Sequence, residues 1–431
     1  MTTEQLKNRI YSVDFLRGVV MMIMLLDHTR DFVHHDAFNS DPTDPVSTTV
    51  PLFFTRWITH YCAPTFVFLS GMSIYLQKLN GKSNRQLSWF LFTRGLWLVV
   101  LEFTVIRFLV TFNLDYGSFF GMAQVIWVIG VSMIVMAVLI YLPLWVVAGI
   151  GLAMILLHNL ADASIDLPPR IAFGGSPDLG QAVWLVLHQQ SVIPLFGKSI
   201  VFVAYPLIPW IGVMAVGYAL GIVYSWDAQR RRKLLLAIGV LATLLFVGLR
   251  ASNLYGDSNE WRNEAQFLEM VKARGEAGDL GPDFKMPTPA MSEPEFTIVS
   301  FFNAQKYPPS LIFLLMTLGP GLIILALTDG ISGQAVWQKI AIVFGRVPLF
   351  FYILQWIWAH GSGVLLSLIA GKDISYFFNT LGPGMTLPED NGFSLPVVYA
   401  VWIVGLILIY PLCLWYGNLK QRNKHWLLSY L

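Results

Sequence analysis

Residues 12–32 read SVDFLRGVVMMIMLLDHTRDF, an apolar run with charged residues at both ends. Arg17 stands near its start and His28 near its end, eleven positions or about three helical turns apart. The two side chains therefore share one helix face, about 16 Å apart along the axis. A charged side chain at mid-membrane costs about 2.5–3.5 kcal/mol on insertion scales, so such residues mark a functional site. The stretch predicts a first membrane helix with polar chemistry at each end.

The composition is that of a membrane protein. Of 431 residues, 55% are hydrophobic and only 13% are charged. The net charge of +2 comes without a dominant basic patch, so we expect no nucleic-acid partner. Cys62 and Cys413 fall in apolar spans and are interpreted as apolar fillers rather than a disulfide framework. The first apolar run ends in Asp27-His28 without a cleavage site, which predicts a retained helix and no signal peptide.

The hydropathy pattern predicts an all-α, polytopic membrane bundle that forms one domain over residues 1–431. About ten spans are expected, near residues 14–33, 52–76, 87–109, 120–141, 143–158, 200–224, 234–250, 309–328, 341–369 and 395–416. Lys and Arg gather on one side of these spans, which places both termini in the cytoplasm. Long outer loops follow at 159–199 and 251–308, with helices expected at Leu179–Gln189 and Asn263–Ala273, and we expect the loops to cap an outward-facing cavity.

The end of the first span holds the candidate catalytic residues: Asp27, His28, Asp31 and His35. Asp31 follows His28 by three positions and precedes His35 by four, so on a continued helix it neighbours both. A carboxylate on one ring nitrogen would fix the tautomer of a histidine base and raise its basicity. The alternative is an interfacial helix end with capping and snorkelling side chains and a structural His28.

Candidate acceptor-binding residues lie near the same predicted surface: His34, Arg56, His60, Lys306 and Tyr307. Arg56 and His60 are four positions apart and share a helix face. They could line one cavity with His28, or form an interfacial anchor belt. Lys306 and Tyr307 precede two prolines and could hold a polar acceptor, or simply make a turn.

Other ionisable residues lie deeper or on the opposite side. Glu102 is expected near mid-membrane, where a structural ion pair and a catalytic role are both open. Arg17, Arg94 and Arg346 are expected at the cytoplasmic ends of their spans, placed to meet an anion. No metal-ligand motif, phosphate loop or dinucleotide fingerprint is present in the sequence.

Several separate blocks carry a family resemblance. The Arg17/His28 spacing resembles the first helix of the acyltransferase-3 membrane enzymes. The wider pattern resembles bacterial relatives of heparan-alpha-glucosaminide N-acetyltransferase. The blocks are SVDFLRG (12–18), DHTRDF (27–32), WITHYCAPTFVFLSGMS (57–73), YPLIPWIGVMAVGYALG (205–221), KYPPSLIFLLMTLGP (306–320) and FGRVPLFFYIL (344–354).

The resemblance implies a membrane acyltransferase of about ten helices that holds acyl-CoA from the cytoplasmic side. Arg17, Arg94 and Arg346 would then bind the CoA phosphates. His28 matches the acyltransferase-3 histidine. In the lysosomal sugar acetyltransferase the corresponding histidine falls after the first helix, in the region that here holds His34 and His35. The ninth span carries Gln355 where the resemblance leads us to expect a histidine.

Two classes of function follow. The leading hypothesis is an acetyl- or acyl-CoA-dependent enzyme of a bacterial inner membrane. It would act on an amine or hydroxyl of an envelope saccharide or similar acceptor, with no metal. His28 would act as general base or carry the acyl group transiently. Membrane lipids would surround it, and a homodimer is left open.

The alternative is a proton-coupled transporter of a small polar solute, with Asp27, His28 and Glu102 as the relay. A fold that has lost catalysis, as Gln355 suggests, is a third option.

Overall fold

The structure is a computed structural model that describes residues 10–36, 40–162, 165–195, 199–276, 285–379, 388, 390–423, 425 and 428. The α-helices are α1 (Tyr11–Val33), α2 (Val50–Thr59), α3 (Cys62–Leu79), α4 (Asn84–Leu101), α5 (Arg107–Thr111), α6 (Val125–Leu139), α7 (Leu144–Leu157), α8 (Pro169–Ala172), α9 (Leu179–Leu187), α10 (Leu207–Leu220), α11 (Ala228–Ser252), α12 (Glu264–Glu276), α13 (Glu293–Phe302), α14 (Leu311–Leu327), α15 (Val336–Arg346), α16 (Pro348–Ile369) and α17 (Leu395–Arg422). The strands are β1 (Phe119–Ala123), β2 (Ser191–Pro194) and β3 (Ile200–Val203). Shorter turns are the π-helix Glu102–Ile106 and the 3₁₀ segments His158–Leu160, Gly221–Ser225 and Ser375–Phe378.

Helix α1 lies at the centre of one group of helices. It packs against α15 and α16 most extensively, and against α17, α3 and α2 as well. Most of its residues are buried, including charged ones, so its neighbours cover its polar ends. The first predicted span, 14–33, is therefore a helix that other helices surround.

Two glycines allow the backbones of α1 and α15 to touch. A Cβ added to Gly18 would lie 1.7 Å from the carbonyl oxygen of Ala341. A Cβ added to Gly345 would lie 1.9 Å from the carbonyl oxygen of Asp14. Small residues at helix contacts are the usual means of close packing in membranes. Any side chain at either position would push the two helices apart.

A second group of helices is built around α10, which packs against α3, α7 and α6. Helix α4 packs along α6, and α11 packs along α14. Helix α3 contacts both α1 and α10, so it joins the two groups.

Within the part of the chain that the structure describes, five helical segments are long and apolar enough to cross a membrane: Asn84–Thr111, Leu207–Ser225, Ala228–Ser252, Pro348–Ile369 and Leu395–Arg422. The last of these and α11 are mostly exposed along their apolar faces, as expected of helices that face lipid. Helices α6, α14 and Leu144–Leu160 are apolar but shorter. The count of ten spans and the cytoplasmic placement of both termini stay predictions.

The all-helical expectation needs correction. A small sheet has the order β1-β3-β2, with β1 parallel and β2 antiparallel to β3. It takes the first residues of the predicted spans 120–141 and 200–224, because Phe119–Ala123 and Ile200–Val203 are short apolar runs that hydropathy cannot separate from helix. The predicted spans 52–76 and 341–369 are each broken, at His60–Tyr61 and at Val347. Pro348 cannot continue α15 in regular hydrogen bonding, which accounts for the second break.

The long loops contain the helices that their sequences predict. Helix α9 (Leu179–Leu187) begins with a capping box in which Asp178 and Gln181 each bond the other's backbone. Helix α12 (Glu264–Glu276) corresponds to the predicted Asn263–Ala273. Four prolines follow it in the sequence (Pro282, Pro287, Pro289 and Pro294), and Pro282 lies outside the described residues.

Candidate active site

The end of α1 that carries His28, which we call the histidine end, contains a buried chain of ion pairs. Asp27 Oδ2 lies 2.5 Å from Arg56 Nη1 on α2, and Asp27 Oδ1 lies 3.0 Å from Arg30 Nη2. The same Arg30 nitrogen lies 2.5 Å from Asp31 Oδ1. Burial strengthens the two Asp27 attractions, because little water screens those charges, whereas the Asp31 side chain is 32% exposed. This network fixes the end of α1 against α2.

His28 itself lies beside the network but is not tied into it. Its Nδ1 lies 3.8 Å from Asp31 Oδ2, which is an electrostatic contact and too long for a hydrogen bond. Its ring rests on the indole of Trp356 from α16, with ring centres 3.8 Å apart. Its Nδ1 is buried and has no hydrogen-bond partner among the described residues. The imidazole is therefore held by packing, with a nitrogen available for proton transfer.

Four predicted acceptor-binding residues meet at this end: Arg56, His60, Lys306 and Tyr307. Lys306 is close enough to act electrostatically on both Asp27 and His60. Its ammonium lies 5.1 Å from the centre of the Tyr307 ring. Tyr307 in turn is hydrogen-bonded to Tyr205, with their rings edge to face at 5.4 Å. The segment before α14 thus brings Lys306 and Tyr307 to the buried ion pairs, and the segment before α10 brings Tyr205.

His34 and His35 follow α1, with rings stacked at 4.3 Å. His35 lies 2.9 Å from Asp36 rather than beside Asp31, because α1 ends at Val33 and the helical spacing does not continue. His34 is buried, and its Nδ1 accepts a hydrogen bond from the backbone of Asp36. Burial and neighbouring His35 lower the pKa of His34 to about 4, so it is neutral at physiological pH.

The other end of α1, which we call the arginine end, borders a cavity. Arg17 donates to Ser73 Oγ at 2.9 Å and to the carbonyl of Gly345 at 3.2 Å, and lies 3.4 Å from Asp14. Arg94 from α4 lines the same cavity. Two of the three cations predicted to bind phosphate therefore share one space.

This cavity has a volume of about 350 Å³ and lies between α1, α3, α4, α6 and α16. Its polar lining residues include Arg17, Ser73, Gln77 and Arg94, and most of its other lining residues are apolar. It reaches Met24 on α1 and Tyr352 on α16. Each of these stands one helical turn before a member of the ring pair, His28 or Trp356. The cavity thus leads from the arginines toward the histidine.

Two further predicted positions do not line the cavity: Gln355 on α16 and Arg346 at the end of α15. Gln355 is fully buried, and neither its amide oxygen nor its nitrogen has a hydrogen-bond partner among the described residues. Arg346, at the end of α15, has a buried Nε that is likewise without a partner among them. Unpaired buried polar groups are costly, which marks both positions for a functional explanation.

Glu102 takes a role that the sequence did not predict. It is buried at the start of the π-helix, where its Oε2 accepts the backbone N–H of Trp127 at 2.8 Å. It also accepts from the backbone of Ile126, so its carboxylate sits at the N-terminus of α6. A carboxylate there satisfies unpaired N–H groups and the helix dipole. Neither a side-chain ion pair nor a proton relay is needed to explain it.

Sequence reasoning missed Ser73, Tyr352 and Trp356. Tyr352 and Trp356 are four positions apart in an aromatic-rich span, which gives them a common face. That spacing alone does not say which helix the face meets. Only the packing of α16 on α1 brings it to His28.

Residues 9–255 match the family model described as heparan-alpha-glucosaminide N-acetyltransferase, catalytic. The match covers more than half of the chain and includes Arg17, His28, Arg56 and Arg94. A search of the curated proteins found no match. The chain belongs to this family, and its apolar helices agree with an integral membrane protein that carries an acetyltransferase domain.

Proposed function

We propose that this protein takes an acetyl group from acetyl-CoA at the arginine end of α1. It would pass the group to an amine or hydroxyl of a polar acceptor, such as an envelope saccharide, at the histidine end. The observation that carries the proposal is the cavity that starts at Arg17 and Arg94 and reaches within one helical turn of His28. Family membership supplies the reaction class. The donor, the acceptor and a bacterial inner-membrane location are our proposals.

The donor would bind by charge at one end and by apolar contact along the path. Arg17 and Arg94 would contact the CoA phosphates, because guanidinium groups form strong charge-assisted hydrogen bonds with phosphate. Arg346, whose buried Nε has no hydrogen-bond partner among the described residues, is a third candidate. A volume of about 350 Å³ is within the usual range for small-molecule sites and suits the pantetheine arm.

His28 would act as the general base. As the acceptor nitrogen or oxygen attacks the thioester carbonyl, His28 would remove the proton from that atom. The carbon–sulfur bond then breaks, the acetyl group stays on the acceptor, and the proton passes from His28 to the departing CoA thiolate. Asp31, 3.8 Å from His28, would stabilise the cationic ring during transfer. Burial of the site would limit hydrolysis of the thioester.

The acceptor would meet the polar side chains at the histidine end. Lys306 and Tyr307 offer donors that suit sugar hydroxyls. Arg56 is engaged with Asp27, so we assign the pair a positioning role that holds α2 against α1. His60 is buried beside them and would complete the wall of this side.

The test is acetyl transfer from labelled acetyl-CoA to glucosamine and related amino sugars by the full-length protein in proteoliposomes. His28→Ala should lose at least a hundredfold in rate, the usual contribution of a general base. His425→Ala, an exposed histidine beyond α17, is the matched control and should keep full activity. Full activity in His28→Ala would refute the role of His28. Solute uptake without any acetyl transfer would favour the transporter.

A further inference from the structure

A second cluster of ionisable side chains lies away from His28, where the segment after α7 meets α9. It consists of His158, Asp162, Asp166 and His188. His188 is fully buried, His158 is nearly so, and the Asp162 side chain is 11% exposed. One ligand atom from each of His158, Asp162 and His188 lies within 4.8 Å of the other two. The acetyl-transfer chemistry makes no use of them.

The spacing of the facing atoms is that of ligands around one ion. His188 Nε2 lies 3.4 Å from His158 Nδ1 and 3.5 Å from Asp162 Oδ1. A tetrahedral zinc ion with bonds of about 2.0–2.1 Å holds its ligands about 3.3 Å apart. An ion between the three atoms therefore needs only small side-chain adjustments.

The outer atoms of the cluster make hydrogen bonds to neighbouring side chains, which orients the remaining ligand atoms toward one another. Asn159 donates to Asp162 Oδ2 at 2.8 Å, while Asp162 Oδ1 is buried without a hydrogen-bond partner among the described residues. Asp166 Oδ1 lies 3.1 Å from His188 Nδ1 and accepts from the Trp184 indole at 3.3 Å. A carboxylate on the far nitrogen of a histidine is the usual outer partner of a zinc ligand, because it fixes the tautomer and orients the ring.

We propose that His158, Asp162 and His188 bind a divalent transition-metal ion, most favourably zinc, with Asp166 orienting His188. Two imidazoles and one carboxylate are ligands that zinc prefers, and water would complete the tetrahedron. The ion would hold the 159–199 segment against the end of α7. Asn159 also accepts a hydrogen bond from the backbone of Leu311 at the start of α14, so the ion would help to fix the position of the segment that carries Lys306 and Tyr307.

The competing explanation is a protonated His188. Its Nε2 also lies 3.0 Å from the His158 carbonyl oxygen, which an imidazolium N–H could satisfy. Burial lowers the pKa of His188, but Asp166 and Asp162 outweigh it and raise that pKa above the ordinary value. In that case the cluster would stabilise the fold below the ordinary histidine pKa. The stability would be lost as pH rises through the raised pKa, with or without metal.

The test is metal analysis of the full-length detergent-purified protein, with any polyhistidine tag removed. After incubation with one equivalent of zinc and desalting, we expect about one zinc per chain. His188→Ala and Asp162→Asn should abolish this binding, and His425→Ala should retain it as the matched control. Asp166→Asn should weaken zinc affinity about 10- to 100-fold, as loss of an outer partner does elsewhere.

Cobalt substitution keeps the test independent of whether the variants fold. Cobalt(II) bound by the wild-type protein at this site should give the intense visible bands of tetrahedral coordination, and one equivalent of zinc should remove them. Weak octahedral bands, or no retained metal in the wild type, would overturn the proposal. So would zinc that stays bound at one per chain in folded His188→Ala.

Discussion

The charged side chains at the two ends of α1 have different kinds of partner. At the histidine end, Asp27 and Asp31 are paired with Arg30 and Arg56 inside the protein. At the arginine end, Arg17 is held by a hydroxyl, a carbonyl and one more distant carboxylate, and it faces a cavity. The first arrangement neutralises charge and fixes geometry. The second places a guanidinium on the wall of a cavity. Under the proposed function, one helix would position a base at one end and receive a polyanionic donor at the other.

The largest expected effect comes from breaking the ion pairs at the histidine end. Arg56→Ala removes an ion-pair partner of the buried Asp27, so we expect the free energy of unfolding to fall by about 3–5 kcal/mol. Arg17→Ala should cost less, since the Asp14 carboxylate lies 3.4 Å from Arg17, against 2.5 Å between Asp27 and Arg56. Denaturant unfolding in detergent measures both. The double variant Asp27→Asn/Arg56→Met should recover much of the loss.

An equal, small cost for Arg56→Ala and Arg17→Ala would contradict the distinction between the two ends.

The next effect comes from the contact between α1 and α15 at Gly345, whose carbonyl accepts a hydrogen bond from Arg17. Gly345→Ala would place a Cβ 1.9 Å from the Asp14 carbonyl, so α15 must move away from α1. We expect a loss of about 1–3 kcal/mol in unfolding free energy and a raised KM for acetyl-CoA. Gly361→Ala in α16 is the matched control, because nothing lies within 4 Å of its added Cβ. An unchanged KM in Gly345→Ala would separate the contact from donor binding.

A smaller effect is expected from Ser73→Ala. It removes the 2.9 Å hydrogen bond to Arg17 without removing the charge. We expect acetyl-CoA affinity to fall about tenfold, equivalent to about 1.4 kcal/mol, with little change in stability. Ser88→Ala is the control, since Ser88 also bonds across helices, to the Ala137 carbonyl, but does not touch Arg17. Titration calorimetry with acetyl-CoA compares them, and equal affinities in the two variants would count against the role of Arg17.

The smallest effect on stability is expected at the path between the two ends. Gln355→Leu replaces a buried amide that has no partner among the described residues, so the unfolding free energy should stay the same or rise. If the amide contacts the acetyl donor, activity should fall all the same. Unfolding and acetyl-transfer assays on one preparation make the comparison. Unchanged stability with unchanged activity would exclude a role for Gln355.

The sequence predicted the parts of this fold that depend on local pattern. Periodicity and composition located most helices, and the spacing of Arg17 and His28 placed them at opposite ends of one helix. Spacing failed where the chain leaves the helix: Asp31 does not reach His35, because α1 ends between them. It also failed where function depends on packing between helices. The ring contact between Trp356 and His28 and the cap that Glu102 gives α6 involve residues far apart in the chain.

The most direct test of the account is the thermal stability of the detergent-purified protein with acetyl-CoA, compared between wild type, Arg17→Ala and His28→Ala. A ligand at a hundredfold its dissociation constant adds about 2.7 kcal/mol of stability, which is readily measured. Arg85→Ala, an exposed cation on α4, controls for general charge. We expect acetyl-CoA to stabilise wild type, Arg85→Ala and His28→Ala but not Arg17→Ala. Stabilisation of none of them, or of Arg17→Ala as strongly as wild type, would contradict donor binding at the arginine end of α1.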